Sequence, residues 1–167
     1  MQETWGLLAG ERLSTARRTR TLGLGAAVRE FNERAVPGLG GVWFGKQVLL
    51  AMLGIVVAER AKQAGTQLRN IEVANAIEAL ACWLAFKGNS WAPDPRLRGI
   101  NKLHARGDGF SFSKARQRNF YVTQPMRMST VQALPSLGFA AAEGVRFNSF
   151  SSTALGREFV AAACDSY

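Results

Sequence analysis

The sequence is poor in the side chains that most often bind metals, form disulfides or act as acids and bases. It has one histidine, two cysteines and 12 acidic residues in a chain of 167. With His104 alone, a site of several histidine ligands is excluded, and catalysis by histidine is disfavoured. Cys82 and Cys164 form no C-x-x-C pair, which favours a reducing, intracellular setting without a disulfide framework.

Long hydrophobic runs and complete nucleotide-binding motifs are also missing. The longest apolar run is Val48–Ala58, much shorter than the ~20 residues of a membrane-spanning helix, and no basic-then-apolar leader opens the chain. A G-x-x-x-x-G-K stretch at 40–46 has the bulky Trp43 and Phe44 inside it. In the complete motif a Ser or Thr, whose hydroxyl binds magnesium, follows the lysine, but here that residue is Gln47. We therefore expect no membrane association and no cofactor. Because the acidic residues are scattered, we also expect no metal site, no catalytic residues and no enzymatic activity.

What the chain does have is positive charge, unevenly distributed. Its 21 Lys and Arg exceed its Asp and Glu by nine. Between Arg96 and Arg127 only Asp108 opposes eight basic residues, whereas residues 1–95 carry eleven basic and eight acidic side chains. Such an excess favours a polyanionic partner, and a run of charge on one segment indicates where that partner binds.

Hydrophobic periodicity predicts a helical first half. Residues 1–20 form a polar, Arg-rich arm. We expect helices at Leu24–Arg34, at Gly41–Ala64, where Gly65 ends the helix, and at Ile71–Phe86, where Asn70 is the N-cap. The breaker-rich stretch Gly88–Pro95 then marks a boundary. The sequence therefore divides into a basic arm (1–20), a helical support or oligomerisation region (21–95) and a third region (96–167).

The third region is predicted to contain shorter elements. A basic helix at Arg96–Ala105 is followed by a second helix, capped by Ser111 or Ser113, that runs to Arg118. A third helix begins at Gln124 or Pro125. An extended segment, a hairpin turn at Glu143-Gly144 and a returning strand at Val145–Ser152 come next. Thr153 then caps a final helix, Ala154–Cys164.

Four short motifs in this region occur in a familiar order. They are Ser129-Thr130-Val131, then Leu134 with Leu137-Gly138-Phe139, then Glu143-Gly144, and last Thr153-Ala154-Leu155-Gly156-Arg157. Over about sixty residues the chain resembles the winged helix-turn-helix superfamily in its small bacterial regulator form. Two positions depart from the pattern: Pro135, which we expect to shorten or kink the third helix, and Ser152, where the family usually has an apolar residue. The resemblance implies a mainly α fold, in which the helical N-terminal part packs on a winged helix-turn-helix with a two-stranded β-hairpin wing.

The resemblance also implies a mode of binding. In this family the recognition helix enters the major groove of DNA, and the preceding helix and the wing contact phosphates. The predicted nucleic-acid-binding residues are Lys114, Arg116, Arg118, Gln124, Arg127, Ser129, Thr130, Gln132, Arg146 and Asn148. Further contacts to the nucleic-acid backbone are expected from Arg96, Arg98, Lys102 and Arg106.

These observations predict a non-enzymatic DNA-binding protein, a regulator or an architectural factor, in the cytoplasm and associated with the nucleoid. Duplex DNA is the favoured partner, and the long apolar helices indicate a homodimer. Two alternatives remain open. The chain is either an accessory subunit of a nucleic-acid-processing or phage-defence complex, in which the winged helix docks to protein, or an RNA-binding protein, because RNA fits the same charge pattern.

Overall fold

A computed structural model describes residues 23–165. The protein is mainly helical and has one small two-stranded sheet near its C-terminus. The α-helices are α1 (Leu24–Ala35), α2 (Gly45–Gln63), α3 (Asn70–Gly88), α4 (Ile100–His104), α5 (Phe112–Ala115), α6 (Ala133–Ser136) and α7 (Ala154–Asp165). The strands are β1 (Ala140–Ala142) and β2 (Phe150–Ser152), and short 3₁₀ helices occupy Leu39–Gly41, Met126–Ser129 and Phe147–Ser149. No helix between residues 23 and 165 combines the length and hydrophobicity that crossing a membrane requires.

Helices α2 and α3 form the hydrophobic centre, as the periodicity predicts. Val48, Met52 and Ile55 of α2 are buried. The two helices approach closely at Gly54, where a Cβ atom would lie 2.5 Å from the Cβ of Ala74. Glycine is therefore required at this crossing, because any side chain would push the helices apart.

Two hydrophobic clusters lie against this pair of helices. The first joins α2 and the start of α3 to residues near the sheet and α7, including Leu134, Phe150 and Val160. The second joins the later turns of α3 to residues 97–126, including Leu103 and Tyr121. Residues on both sides of the 88–95 loop therefore share both clusters.

The hairpin and the last helix close the chain on α2. Strands β1 and β2 are antiparallel, with Ala140 opposite Ser152. The predicted strand at Val145–Ser152 is shortened to β2, because residues 147–149 form a 3₁₀ helix with Phe147 buried. Thr153 caps α7 as predicted, since its Oγ1 accepts a hydrogen bond from the Gly156 N–H over 3.0 Å.

Two predictions about the helices are wrong. Arg69, not Asn70, is the N-cap of α3. The side chain of Asn70 is buried and donates instead to the backbone carbonyls of Phe147 and Phe150, over 3.1 and 2.7 Å. The basic helix predicted at Arg96–Ala105 begins only at Ile100, after Gly99, whose φ is +86° and which lies against the Tyr121 carbonyl.

The single helix predicted from Gln124 or Pro125 is also wrong, because this segment forms a 3₁₀ helix (126–129) and then the one-turn α6. Local side-chain hydrogen bonds explain the break. Ser129 Oγ donates to the Met126 carbonyl over 2.7 Å, and Thr130 Oγ1 donates to the Arg127 carbonyl over 2.9 Å. Such bonds compete with a helical ladder. Pro135 has no N–H to extend a helix through this point.

Candidate nucleic-acid interface

The side chains predicted to read bases do not share an exposed helix face. Arg127 and Thr130 are buried, Ser129 is half-buried, and only Gln124 and Gln132 are exposed. This burial removes Arg127 and Thr130 from the candidate base-reading surface.

A second segment covers the same region. A Cβ atom on Gly38 would lie 2.6 Å from Gln132 Cβ, and one on Gly41 would lie 3.1 Å from the Ser129 carbonyl oxygen. Gln132 Nε2 also donates to Glu33 of α1 over 3.0 Å. The segment that resembles a recognition helix is therefore packed against residues 33–41.

Arg127 belongs to a buried polar network. Its Nη1 lies 3.2 Å from Glu78 Oε1, and both side chains are less than a tenth exposed. The Tyr121 hydroxyl donates to the other carboxylate oxygen of Glu78. Burial raises the pKa of Glu78, an effect that Arg127 and Tyr121 oppose. Burial and the neighbouring carboxylate likewise raise the pKa of Tyr121. The sequence gives no local signal for this network, because α3 supplies its carboxylate.

Asn75 connects the network to α5. Its Oδ1 lies 3.4 and 3.5 Å from the two terminal nitrogens of Arg127. Its Nδ2 donates to the carbonyls of Ala115 and Gln117, over 2.7 and 2.8 Å. The amide thus holds the end of α5 against α3, and with it the neighbouring Arg116 and Arg118.

Three cations of the charge-rich segment bind the protein's own backbone. Arg98, Lys102 and Arg106, named here the bracing cations, each donate to a carbonyl of the 119–124 turn, over 2.9, 3.2 and 3.2 Å. The Arg106 guanidinium also lies 4.1 Å from the ring centroid of Phe120. These residues were predicted to contact the nucleic-acid backbone, and each has one hydrogen bond directed to the protein's own backbone instead.

Arg96, at the start of the same segment, pairs with its neighbour Asp94. The guanidinium binds both carboxylate oxygens, with a shortest distance of 2.7 Å. These hydrogen bonds hold the pKa of Asp94 at about 2. Much of the charge of Arg96 is therefore balanced within the loop.

A different set of cations converges on a cleft beside the start of α3. This basic cleft has a volume of about 560 Å³ and is lined by Arg69, Ile71, Glu72, Asn75, Ser113, Arg116, Gln117, Arg118, Arg127 and Asn148. Four of the predicted residues, Arg116, Arg118, Arg127 and Asn148, thus meet in one place. Arg69 was not predicted, because it joins them only through the packing of α3 against α5.

Among the lining cations, Arg69 binds Glu72 and Arg127 binds Glu78, whereas Arg116 and Arg118 have few partners. Arg116 lies 3.8 Å from Glu72, its one ion pair within residues 23–165. In the same part of the chain, no side-chain hydrogen bond or ion pair engages Arg118, the adjacent Lys114, or Arg146 in the hairpin loop. Asn148 acts structurally, since its Oδ1 accepts from the Ile71 N–H over 2.9 Å. The rim therefore presents donors and positive charge with a single carboxylate, Glu72, among them.

This arrangement can bind an anion and offers little for covalent chemistry. Among residues 23–165 no three His, Cys, Asp or Glu side chains are grouped to hold a metal ion. His104 packs edge-on against Trp91, and burial raises the pKa of Cys82 to about 11, which leaves its thiol protonated. No known family model, no curated protein and no solved structure matches this chain.

Proposed function

We propose that the protein is a non-enzymatic nucleic-acid-binding protein whose ligand is duplex DNA, contacted at its phosphates. The observation that carries this proposal is the convergence of Arg69, before α3, with Arg116 and Arg118, after α5, on one cleft. Three guanidinium groups beside one carboxylate, that of Glu72, leave an excess of positive charge, which favours binding of an anion. Guanidinium groups bind phosphate through paired hydrogen bonds.

The order of elements supports a degenerate winged helix. Short helices precede the β1–β2 hairpin, and α7 follows it, as in the superfamily that the sequence resembles. Because residues 126–136 are short and covered, we propose that the module binds through phosphate contacts from α5, the cleft and the hairpin loop. Phosphate contacts position a protein without reading sequence. This mode favours an architectural, nucleoid-associated role in the cytoplasm over that of a sequence-specific regulator.

The test is a salt titration of DNA binding. Five cations line the cleft or lie close in sequence to its lining residues Ser113 and Asn148, namely Arg69, Lys114, Arg116, Arg118 and Arg146. Five phosphate contacts should lower the affinity for a short duplex roughly five-hundredfold between about 50 and 200 mM salt. Fluorescence anisotropy with a labelled duplex measures this slope. Absence of salt-sensitive binding to duplexes of several sequences overturns the proposal.

A charge-matched pair of variants separates the basic surface from net charge. Lys114→Gln combined with Arg118→Gln removes a cation of α5 and a lining cation of the cleft and should lower the logarithmic salt slope by about 1.8. Arg29→Gln combined with Lys62→Gln removes the same charge from exposed positions on α1 and α2 and should leave the slope nearly unchanged. Equal loss in both variants would show that binding follows net charge alone. An unlabelled RNA duplex that competes better than DNA would instead favour an RNA ligand.

A second candidate function, an accessory subunit of a larger nucleic-acid-processing or defence assembly, is favoured by α1. No residue of this helix is buried, and Leu24, Val28 and Phe31, which share one face, are 65%, 56% and 70% exposed. An apolar stripe of this kind is usually covered by another chain. Size-exclusion chromatography with light scattering discriminates the two. A monodisperse dimer supports the self-contained DNA-binding protein, and aggregation that Leu24→Gln and Phe31→Gln relieve supports the subunit.

A further inference from the structure

The carboxylate of Glu72 already occupies an anion position in the basic cleft. Its Oε2 accepts hydrogen bonds from the backbone N–H and Nε of Arg69, over 3.0 and 3.2 Å, and its Oε1 accepts from Arg69 Nη2 over 3.3 Å. The same Oε1 lies 3.8 Å from Arg116 Nη1. The hydrogen bonds from Arg69 lower the pKa of Glu72, so the carboxylate stays ionised at neutral pH. A ligand anion that enters the cleft therefore competes with an internal negative charge.

Such competition weakens the binding of every anion by the same factor, so a preference among phosphates depends on their own charge and acceptor oxygens. A phosphodiester in a strand carries one negative charge, as the carboxylate does, and gains little by replacing it. A phosphate monoester carries about −1.5 to −2 at neutral pH and has three strong acceptor oxygens. With Arg69, Arg116 and Arg118 as donors, the monoester makes more charge-assisted hydrogen bonds than a phosphodiester or the Glu72 carboxylate does.

The lining and shape of the cleft are consistent with a phosphate at a strand end. None of its lining residues is aromatic, so the cleft offers no ring on which a base can stack. It is also concave, whereas the backbone of an intact duplex is a convex surface. A strand end projects from the duplex and can enter.

We propose that the basic cleft binds the terminal phosphate monoester of a nucleic-acid strand, and that this phosphate displaces the carboxylate of Glu72 from Arg69 and Arg116. This inference rests on the proposed function, because the cations around the cleft must first hold the strand. It adds the end of the strand as a preferred position. It also gives Glu72 a role besides its part in the capping box of α3.

The experiment compares short duplexes of one sequence that differ only at their ends: hydroxyls throughout, 5′-phosphates or 3′-phosphates. In competition anisotropy, one of the phosphorylated duplexes should bind roughly tenfold more tightly than the hydroxyl duplex. A nucleoside monophosphate, added as a competitor, should reduce that difference. If all three duplexes bind equally and with the same salt dependence, the inference is overturned and the proposed function stands. If none binds, both fail.

Glu72→Gln tests the part assigned to the carboxylate. The side-chain oxygen of glutamine can still accept the hydrogen bond from the Arg69 backbone N–H at the start of α3. The variant should therefore fold, which circular dichroism verifies. Both kinds of duplex should bind it more tightly than they bind the wild type and by a similar factor, and the preference for a terminal phosphate should be kept. Arg29→Gln is the control and should bind neither duplex more tightly than the wild type does. If Glu72→Gln folds and likewise binds neither duplex more tightly, Glu72 is removed from the proposal.

Discussion

Two basic segments of similar composition differ in what their cations do. In the segment 96–106, the bracing cations bind carbonyls of the 119–124 turn and Arg96 pairs with Asp94. In the segment 113–118, Lys114 and Arg118 have no such partner within residues 23–165, and Arg116 only approaches Glu72. Each cation of the first segment uses a donor within the fold, whereas the donors of Lys114 and Arg118 in the second remain for a ligand.

The difference shows why a run of positive charge is ambiguous. A guanidinium that donates to a backbone carbonyl satisfies a polar group that is otherwise costly to bury, and the charge itself stays near the surface. Such a residue adds to the long-range field that attracts a polyanion. Because one of its donors and the position of its side chain are committed to the fold, it offers less to a phosphate than an unengaged cation does. The number of phosphate contacts should therefore be smaller than the number of basic residues.

The largest effect is expected at Arg127, a predicted DNA contact that the fold instead uses internally. Arg127→Met leaves the Glu78 carboxylate buried without its ion partner and should lower the free energy of unfolding by about 3–5 kcal/mol, measured by urea denaturation. The double variant Arg127→Met with Glu78→Gln removes both charges and should be less destabilised than the single variant. Wild-type stability in the single variant would contradict the buried ion pair. Under conditions where it remains folded, the single variant should keep the wild-type salt slope.

Local pattern was sufficient for the long helices α2 and α3 and for the start of α7. The 3.6-residue periodicity of α2 and α3 gives their position to within a few residues, and Thr153 caps α7 through an N–H three residues away. These features depend on neighbours in sequence. They could be predicted because no distant contact competes with them.

Distant contacts decide the features that the sequence did not reveal. Asn70 is of a residue type favoured at N-caps. Its side chain instead donates to backbone carbonyls 77 and 80 residues away, and so it does not cap the helix. Arg127 is buried because α3 places Glu78 beneath it, and Arg69 reaches the cleft because α3 packs against α5. A single sequence contains no signal for such pairings, so only part of the candidate site could be predicted.

An intermediate effect is expected at Arg106, one of the bracing cations. Arg106→Gln removes a hydrogen bond to the Phe120 carbonyl and a cation–π contact. Because the side chain is exposed, the free energy of unfolding should fall by only about 1 kcal/mol. The logarithmic salt slope of DNA binding should stay at its wild-type value. A lower slope at unchanged stability would place Arg106 among the phosphate contacts and break the distinction between the two segments.

The smallest effect on stability is expected at Arg116, which provides the counterpart to Arg106. Both substitutions remove one exposed arginine from the same basic stretch, so they change net charge equally. The one ion pair of Arg116 within residues 23–165 spans 3.8 Å, and Arg116→Gln should change the free energy of unfolding by less than about 0.5 kcal/mol. The logarithmic salt slope should nevertheless fall by about 0.9, the contribution of one phosphate. Stability and salt slope thus respond in opposite order in the two variants, a reversal that no effect of net charge alone can produce.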